Sequence, residues 1–354
     1  MVEIFYRTYP KKLNKDKSDL GFVDIYDLDK RFMLAKILGI DCLIIEDIFK
    51  KDKKNFFDYS QIDKNLGQTR DFVGEILLCH EMSLSIILRI DINKINGQME
   101  AKNILAILNF WIDKGVDGFL FDDYKNSKIN FREVLLYLKK TYKNLILIVN
   151  TKNGEEYKNI CKIVDLSYKS MRNENLKEFI LNENKNSNIF SLNDDFDFSC
   201  LNFLDFKHFY TISAKLIAII TLIRQNDIFI KEGEETLYYL DKIDSRIRKE
   251  IFDFYREIFL VRYDYLDIIR GGYFSIKLKD KDVLSYMFYN GKKALVILNN
   301  LCQKDIIVDL PKFIDIRKSN FVIGNISQRE IFKNINLRAY ESIVFTSSIK
   351  KYKL

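Results

Sequence analysis

The stretch "GFLFDDY" at residues 118–124 ends an apolar run in paired aspartates. A buried strand that finishes this way delivers a carboxylate to a pocket, and Asp122 is therefore the first candidate for chemistry. It could attack as a nucleophile or hold a ligand's hydroxyl groups. Asp123 would point to the opposite side if the extended geometry persists. A nucleophilic carboxylate needs a second carboxyl group to protonate the leaving atom, so a lone aspartate points to ligand contact rather than turnover. Asp194 beside Asp195 could form a like-charge pair with one raised pKa, and Glu155 and Glu156 could swing in from a loop. Their ordinary alternative is a solvated loop. The chain has two histidines, His80 and His208, both in helical stretches away from strand ends, where packing roles are expected.

These residues need a scaffold. Short β-branched runs alternate with amphipathic stretches through "EIFYRTYP", "DCLIIED", "LSIILRIDI", "GFLFDD", "LILIVN", "KIVDLSY", "NIFSLND" and "DIFIKEG". Helices are expected over 27–38, 69–83, 101–115, 130–140, 174–183, 208–224 and 245–266. Strands alternating with helices imply parallel pairing with right-handed crossovers. The eight units predict a closed (β/α)₈ barrel with its working face at the strand C-terminal ends. A doubly wound open sheet is the alternative. From "GGYFSIKL" onward the pattern changes to strands separated by turns, among them "VLSYMFYN", "NGKK" and "ALVILNN". The expected division is a barrel over 1–270 and an antiparallel β-sandwich over 271–354.

Composition narrows the function classes. The 57 basic and 50 acidic residues give +7, but the signs are interspersed, so a solvated surface is expected and nucleic-acid binding is not. The five cysteines, Cys42, Cys79, Cys161, Cys200 and Cys302, are widely spaced and form no CxxC pair. Free buried thiols in a reducing compartment follow, with no metal site and no cofactor. "MVEIFYRTYPKK" lacks the pattern of a signal peptide, and "FYTISAKLIAIITLI" is too short and mixed for a membrane span. A soluble, cytoplasmic protein is expected.

The order of these segments resembles the α-amylase superfamily, in particular its α-glucosidase, oligo-glucosidase and trehalose-phosphate hydrolase branch. "FYRTYPKKLN", "LGIDCLIIEDIFK", "ILNFWIDKGVDGFLFDD", "SAKLIAIITLI" with "IFIKEGEE", and "FDFYREIFLVRYDYLDIIRGGYF" carry the likeness along nearly the whole chain. The resemblance implies retaining hydrolysis, in which one carboxylate attacks the anomeric carbon while a second carboxyl group protonates the leaving oxygen. It also implies a third acid, two histidines on the sugar, and an arginine two residues before the nucleophile. That arginine would hold the neighbouring carboxylates by charge-assisted hydrogen bonds.

Against that pattern the chain departs at most positions. Asp122 takes the nucleophile position, but Leu120 stands where the arginine belongs. Thr151, after Asn150, takes the acid/base position. "LNDD" keeps Asn193 and Asp195, the latter at the position of the third acid, with Asp194 in place of a histidine. "RIDINKIN" keeps Asp91 without the family's Asn-His pair, and the sugar-walling Tyr-Asp pair is missing from "KNFFD". The insertion domain after the third strand has shrunk to "NKINGQME". The expected protein is a pseudo-glycosidase with a binding, regulatory or partner-subunit role, its partner a carbohydrate or a protein. The alternative is an active α-glucosidase using Asp122 with Glu155 or Glu156. A third, weaker expectation is a phospho-sugar site using Lys94 and Lys152.

Overall fold

A computed structural model describes residues 4–11, 21–52, 54, 56–94, 101–122, 131–150, 159–164, 189–191, 206–237 and 243–350. In chain order the first elements are β1 (Ile4–Thr8), α1 (Leu28–Leu38), β2 (Cys42–Ile45), β3 (Phe49–Lys51), β4 (Phe57–Ile62) and α2 (Thr69–Glu81). There follow β5 (Ser85–Asp91), α3 (Ala101–Asp113), β6 (Gly118–Asp122), α4 (Phe131–Thr141), β7 (Ile146–Asn150), β8 (Lys162–Val164) and β9 (Ile189–Ser191). Next come α5 (Phe206–Leu222), β10 (Asp227–Lys231), α6 (Ser245–Asp264) and α7 (Leu266–Ile269).

Local chemistry sets the ends of these elements. At the end of α1, Gly39 takes the left-handed conformation at φ 76°, and its N–H donates back to the Lys36 carbonyl at 3.2 Å. At the start of α2, the Gln68 N–H donates to Asp71 Oδ2 at 3.0 Å, half of a capping box.

β1, β2, β5, β6, β7, β8, β9 and β10 pair in parallel in that order, and β10 pairs back onto β1. The barrel therefore closes, and the open doubly wound sheet, which would leave two bare edges, is excluded. Residues 174–183, where a helix was expected, lie outside the described residues. The β3–β4 hairpin is an addition that sequence patterning did not reveal. Only residues 92–100 lie between the end of β5 and the start of α3, where the insertion domain was expected to be reduced.

The period-two alternation of strands sorts side chains onto two faces. Phe119, Phe121, Leu147 and Val149 point to the helices and join the main core with Trp111, Phe72 and Leu135. Phe5, Cys42, Ile44, Ile87, Leu120, Ile148 and Phe229 point inward and form a separate apolar plug. Filled barrels of this kind are packed cores rather than pores. Gly118 lies at the base of the plug, where an added Cβ would stand 2.2 Å from the Ile146 carbonyl oxygen. Gly118→Ala is therefore expected to cost about 1–3 kcal/mol by overpacking, read as a lower midpoint in urea unfolding. An unchanged midpoint would show that β6 and β7 can part without penalty.

The remaining strands are β11 (Gly272–Ser275), β12 (Val283–Asn290), β13 (Lys293–Asn300), β14 (Ile306–Asp309), β15 (Ile314–Gly324), β16 (Asn334–Leu337) and β17 (Ser342–Ile349). One antiparallel sheet runs β11-β12-β13-β17-β15, and β14 pairs β16 in a second. Met287, Val296, Leu298, Val308, Leu337 and Phe345 fill the space between them. The other face of the larger sheet, with Leu284, Tyr286, Phe288, Leu295 and Ile297, is continuous with the barrel core. Gly291 at φ 60° makes the tight turn expected at "NGKK".

Candidate functional site at the barrel mouth

Above the apolar plug, the last inward-facing positions of five strands change character. By alternation Arg7 follows Phe5 on β1, Glu46 follows Ile44 just past β2, and Arg89 follows Ile87 on β5. Asp122 follows Leu120 on β6, and Asn150 follows Ile148 on β7. Glu46, Arg7 and Asp122 are buried, and the Arg89 side chain keeps 24% of its surface.

These groups form one connected network. Arg89 Nε donates to Asp122 Oδ2, and Asn150 Nδ2 donates to Asp122 Oδ1 at 2.6 Å. Arg89 Nη1 donates to Glu46 Oε2 at 3.1 Å, and Arg7 Nε donates to Glu46 Oε1. Asp47, held at a positive φ of 53°, brings Oδ1 to 3.7 Å from Arg89 Nη1. Burial alone would pull the Arg89 pKa down, but the Asp122 and Glu46 carboxylates outweigh it and hold the guanidinium above its usual value. Arg7 also lies over the Phe229 ring, 5.5 Å from its centroid.

This geometry corrects one sequence expectation. Leu120, expected at the arginine position, is 2% exposed and part of the plug. A guanidinium nevertheless reaches Asp122, from the neighbouring strand: Arg89 is the register partner of Leu120, and Asp91 is the partner of Asp122. The guanidinium beside Asp122 comes from β5 and not from β6. Arg7, Glu46 and Arg89 escaped sequence reasoning, although charged residues two apart from apolar ones in "IFYRT", "CLIIED" and "SIILRID" carry the signal.

Asp91 is half-buried, and Lys94 Nζ lies 4.0 Å from its Oδ2. The Tyr59 hydroxyl accepts from the Asp91 N–H and donates to the Asp91 carbonyl, both at 2.9 Å. Tyr59 is held in turn by Trp111, whose Nε1 donates to the Tyr59 carbonyl at 2.6 Å. The hairpin thus fixes the end of β5, and Trp111 is fully buried in the core. Lys94 stacks over Phe57, 5.3 Å from the ring centroid.

The carboxylates after β10 form a separate staple. Glu232 accepts from Thr8 Oγ1, from the Gly21 N–H at 3.1 Å, and from Arg31 Nη2 at 3.0 Å. Glu235 accepts from the Tyr6 hydroxyl at 3.0 Å and the Gly233 N–H at 2.9 Å. Burial and the nearby Glu232 push the Glu235 carboxyl up to about 7, against those two hydrogen bonds. These contacts tie β1, β10 and α1 together.

Thr151, Lys152, Glu155, Glu156, Asn193, Asp194, Asp195, Asp123 and Cys200 lie outside the described residues. Cys42, Cys79 and Cys161 are buried free thiols, whereas Cys302 is only half-buried, with Sγ 3.6 Å from the Lys304 carbonyl on a surface turn. His80 caps no site; its Nε2 lies 2.9 Å from Asp117 Oδ2, away from the mouth. Among the described residues no group of three or more His, Cys, Asp or Glu could hold a metal ion. No helix among them is long and apolar enough to cross a membrane.

No family model matches the chain. It is 28% identical over 102 residues to a trehalose-6-phosphate hydrolase of Bacillus subtilis (strain 168), covering 28% of this chain and 18% of that one. It is 22% identical over 95 residues to a probable oligo-1,6-glucosidase 2 of the same organism, covering 27% and 17%. The matched segments thus span under a fifth of either relative's length. Among solved structures, the trehalose-6-phosphate hydrolase of Bacillus licheniformis superposes with a TM-score of 0.77 at 15% identity, covering 98% of this chain and 99% of that one. An isomaltulose synthase mutant of Erwinia rhapontici NX5 gives a TM-score of 0.71 at 14% identity, covering 98% of both chains. Segmental sequence identity and a shared barrel with its C-terminal sheets make this chain similar to enzymes of the α-amylase superfamily.

Proposed function

We propose that the chain is an α-amylase-type barrel that binds a carbohydrate at the mouth around Asp122 and does not carry out ordinary retaining hydrolysis. It serves as a binding, regulatory or partner subunit in carbohydrate metabolism. The observation that carries this reading is the engagement of the mouth carboxylates. Both oxygens of Asp122 accept hydrogen bonds, and both oxygens of Glu46 accept from guanidinium groups. Retaining hydrolysis needs two carboxyl groups about 5–5.5 Å apart, one of them carrying a proton to the leaving oxygen. Glu46 has both oxygens taken by Arg7 and Arg89, and Asn150 ends β7 with an amide. The isomaltulose synthase of similar fold holds D-glucose, which supports a hexose as the ligand class.

One observation favours a second reading. Arg89 gives Asp122 the guanidinium contact that Leu120 cannot, so a retaining α-glucosidase with Asp122 as nucleophile and Glu155 or Glu156 as acid is the competing hypothesis. One experiment separates the two. Purified protein and its Asp122→Asn variant are assayed with aryl α-glucosides, maltose, isomaltose and trehalose 6-phosphate. The expected result is release of product at the buffer background for both. Turnover by the natural chain that disappears in Asp122→Asn would establish the enzyme and end the proposal.

A further inference from the structure

The C-terminal sheets carry an open strand edge. A groove of about 660 Å³ is lined by Ile307, Val308, Asp309 and Leu310 on one side and Lys277, Leu278, Lys279 and Asp280 on the other. Its lining takes Ile307, Val308 and Asp309 of β14 with the following Leu310, and from the β16 side only Lys333 at one end, so the groove runs chiefly along the β14 edge that faces away from β16. The backbone alternation agrees. The Leu310 N–H donates to the Lys333 carbonyl at 3.1 Å, in register with the β14–β16 ladder. Main-chain groups of 306, 308 and 310 therefore point to β16, and those of Ile307 and Asp309 point into the groove. Among the described residues these outward groups have no main-chain partner.

Unpaired strand edges template the addition of another strand. The side chains of the two walls sort by face. Leu278, Val308 and Leu310 lie on the inner side, where Val308 and Leu310 are buried. Lys277, Lys279 and Ile307 lie on the solvent side, Ile307 with 75% of its surface exposed. Lys312 and Lys333 stand at the end of the groove, Lys333 4.0 Å from Asp309, so the lining sets four lysines against the two aspartates Asp280 and Asp309 and stays positive.

We infer that this edge accepts an extended segment of a partner protein, a strand with acidic residues on one face and apolar residues on the other. Its main chain pairs with Ile307 and Asp309, its apolar side chains cover the half-buried Leu278, and its carboxylates meet Lys277, Lys279 and Lys312. The lysines select the occupant. A second copy of this chain would bring its own lysines against these, and like charges across a strand pair repel. An acidic strand gains where a basic or neutral one does not.

The probe is a short synthetic peptide alternating Glu and Val, followed by fluorescence anisotropy with the full chain. Controls are the same peptide with Lys for Glu, and one with alternate main-chain nitrogens methylated. Saturable binding of the acidic peptide alone is expected, weakening as salt is raised. Ile307→Pro removes an outward donor without touching the β14–β16 ladder, and is expected to weaken binding about tenfold, the equivalent of one hydrogen bond. The pair Lys277→Glu with Lys279→Glu should abolish it, and carries the test if Ile307→Pro fails to fold. Equal binding of the Lys and methylated peptides, or none by the acidic one, would overturn the inference. So would a dimer in sedimentation that Ile307→Pro dissolves, which would make the occupant a second copy.

Discussion

Arg89→Leu is expected to lower folding stability by about 3–5 kcal/mol, the cost of leaving buried charge uncompensated. Among the described residues Arg89 links Asp122 and Glu46, donating to one carboxylate through Nε and to the other through Nη1. Leucine would fill the stem's volume but leave Asp122 with one amide donor and Glu46 with Arg7 alone. The loss should shrink when Asp122 is neutralised as well. In Asp122→Asn, the further change Arg89→Leu is expected to cost less by about 1–3 kcal/mol, the coupling typical of one ionic network. Guanidinium unfolding of the four proteins measures both terms. A single-variant loss below about 1 kcal/mol would mean the guanidinium is a surface ornament rather than the group that makes these carboxylates tolerable there.

Between pH 5 and pH 8 the chain should lose stability, and Glu235 should account for about 3 kcal/mol of that loss at most. The sign follows from the direction of the shift. The folded-state carboxyl is raised from 4.5 to about 7, so the folded chain binds a proton that the unfolded chain has released. Its contribution is complete below pH 4.5 and disappears as pH rises through about 7. Glu75, raised to about 7 by burial and by Asp29 and Asp24, acts in the same direction. Glu235→Gln keeps both contacts if its amide oxygen accepts from Gly233 and its nitrogen donates to the Tyr6 hydroxyl. The variant should match the natural chain at pH 5 and exceed it at pH 8, with a flatter profile between. Parallel pH profiles would show that Glu235 is ionised in the folded state.

The barrel was legible because its signals are local and repeated: eight apolar strands, helices with buried stripes, and a change of rhythm near Gly271. Period-two alternation gave each strand two faces, and the plug of Ile44, Leu120 and Ile148 follows from it. The site was less legible because it is made across strands. Reading along β6, Leu120 looked like the loss of a charge. Only the pairing of β5 with β6 shows Arg89 beside it, and register between strands distant in sequence is set by closure of the barrel, not by either segment alone. The same limit hid the β14 edge, since an unpaired strand is defined by what does not lie next to it. The β3–β4 hairpin escaped for a different reason: "FKK" and "FDYSQI" are short, polar on one side and held by Trp111 and Asp91 rather than by propensity.

That hairpin gives the protein a built-in optical reporter. The sequence contains one tryptophan, so every photon of indole emission comes from Trp111. Its ring is fully buried and edge-on to Phe49 and Phe72, and its Nε1–H is committed to the Tyr59 carbonyl. Tyr59 grips both main-chain groups of Asp91, the residue that pairs with Asp122. A ligand that shifts the end of β5 must therefore disturb the indole's only hydrogen bond, and emission colour and lifetime would register occupancy of the mouth without any label.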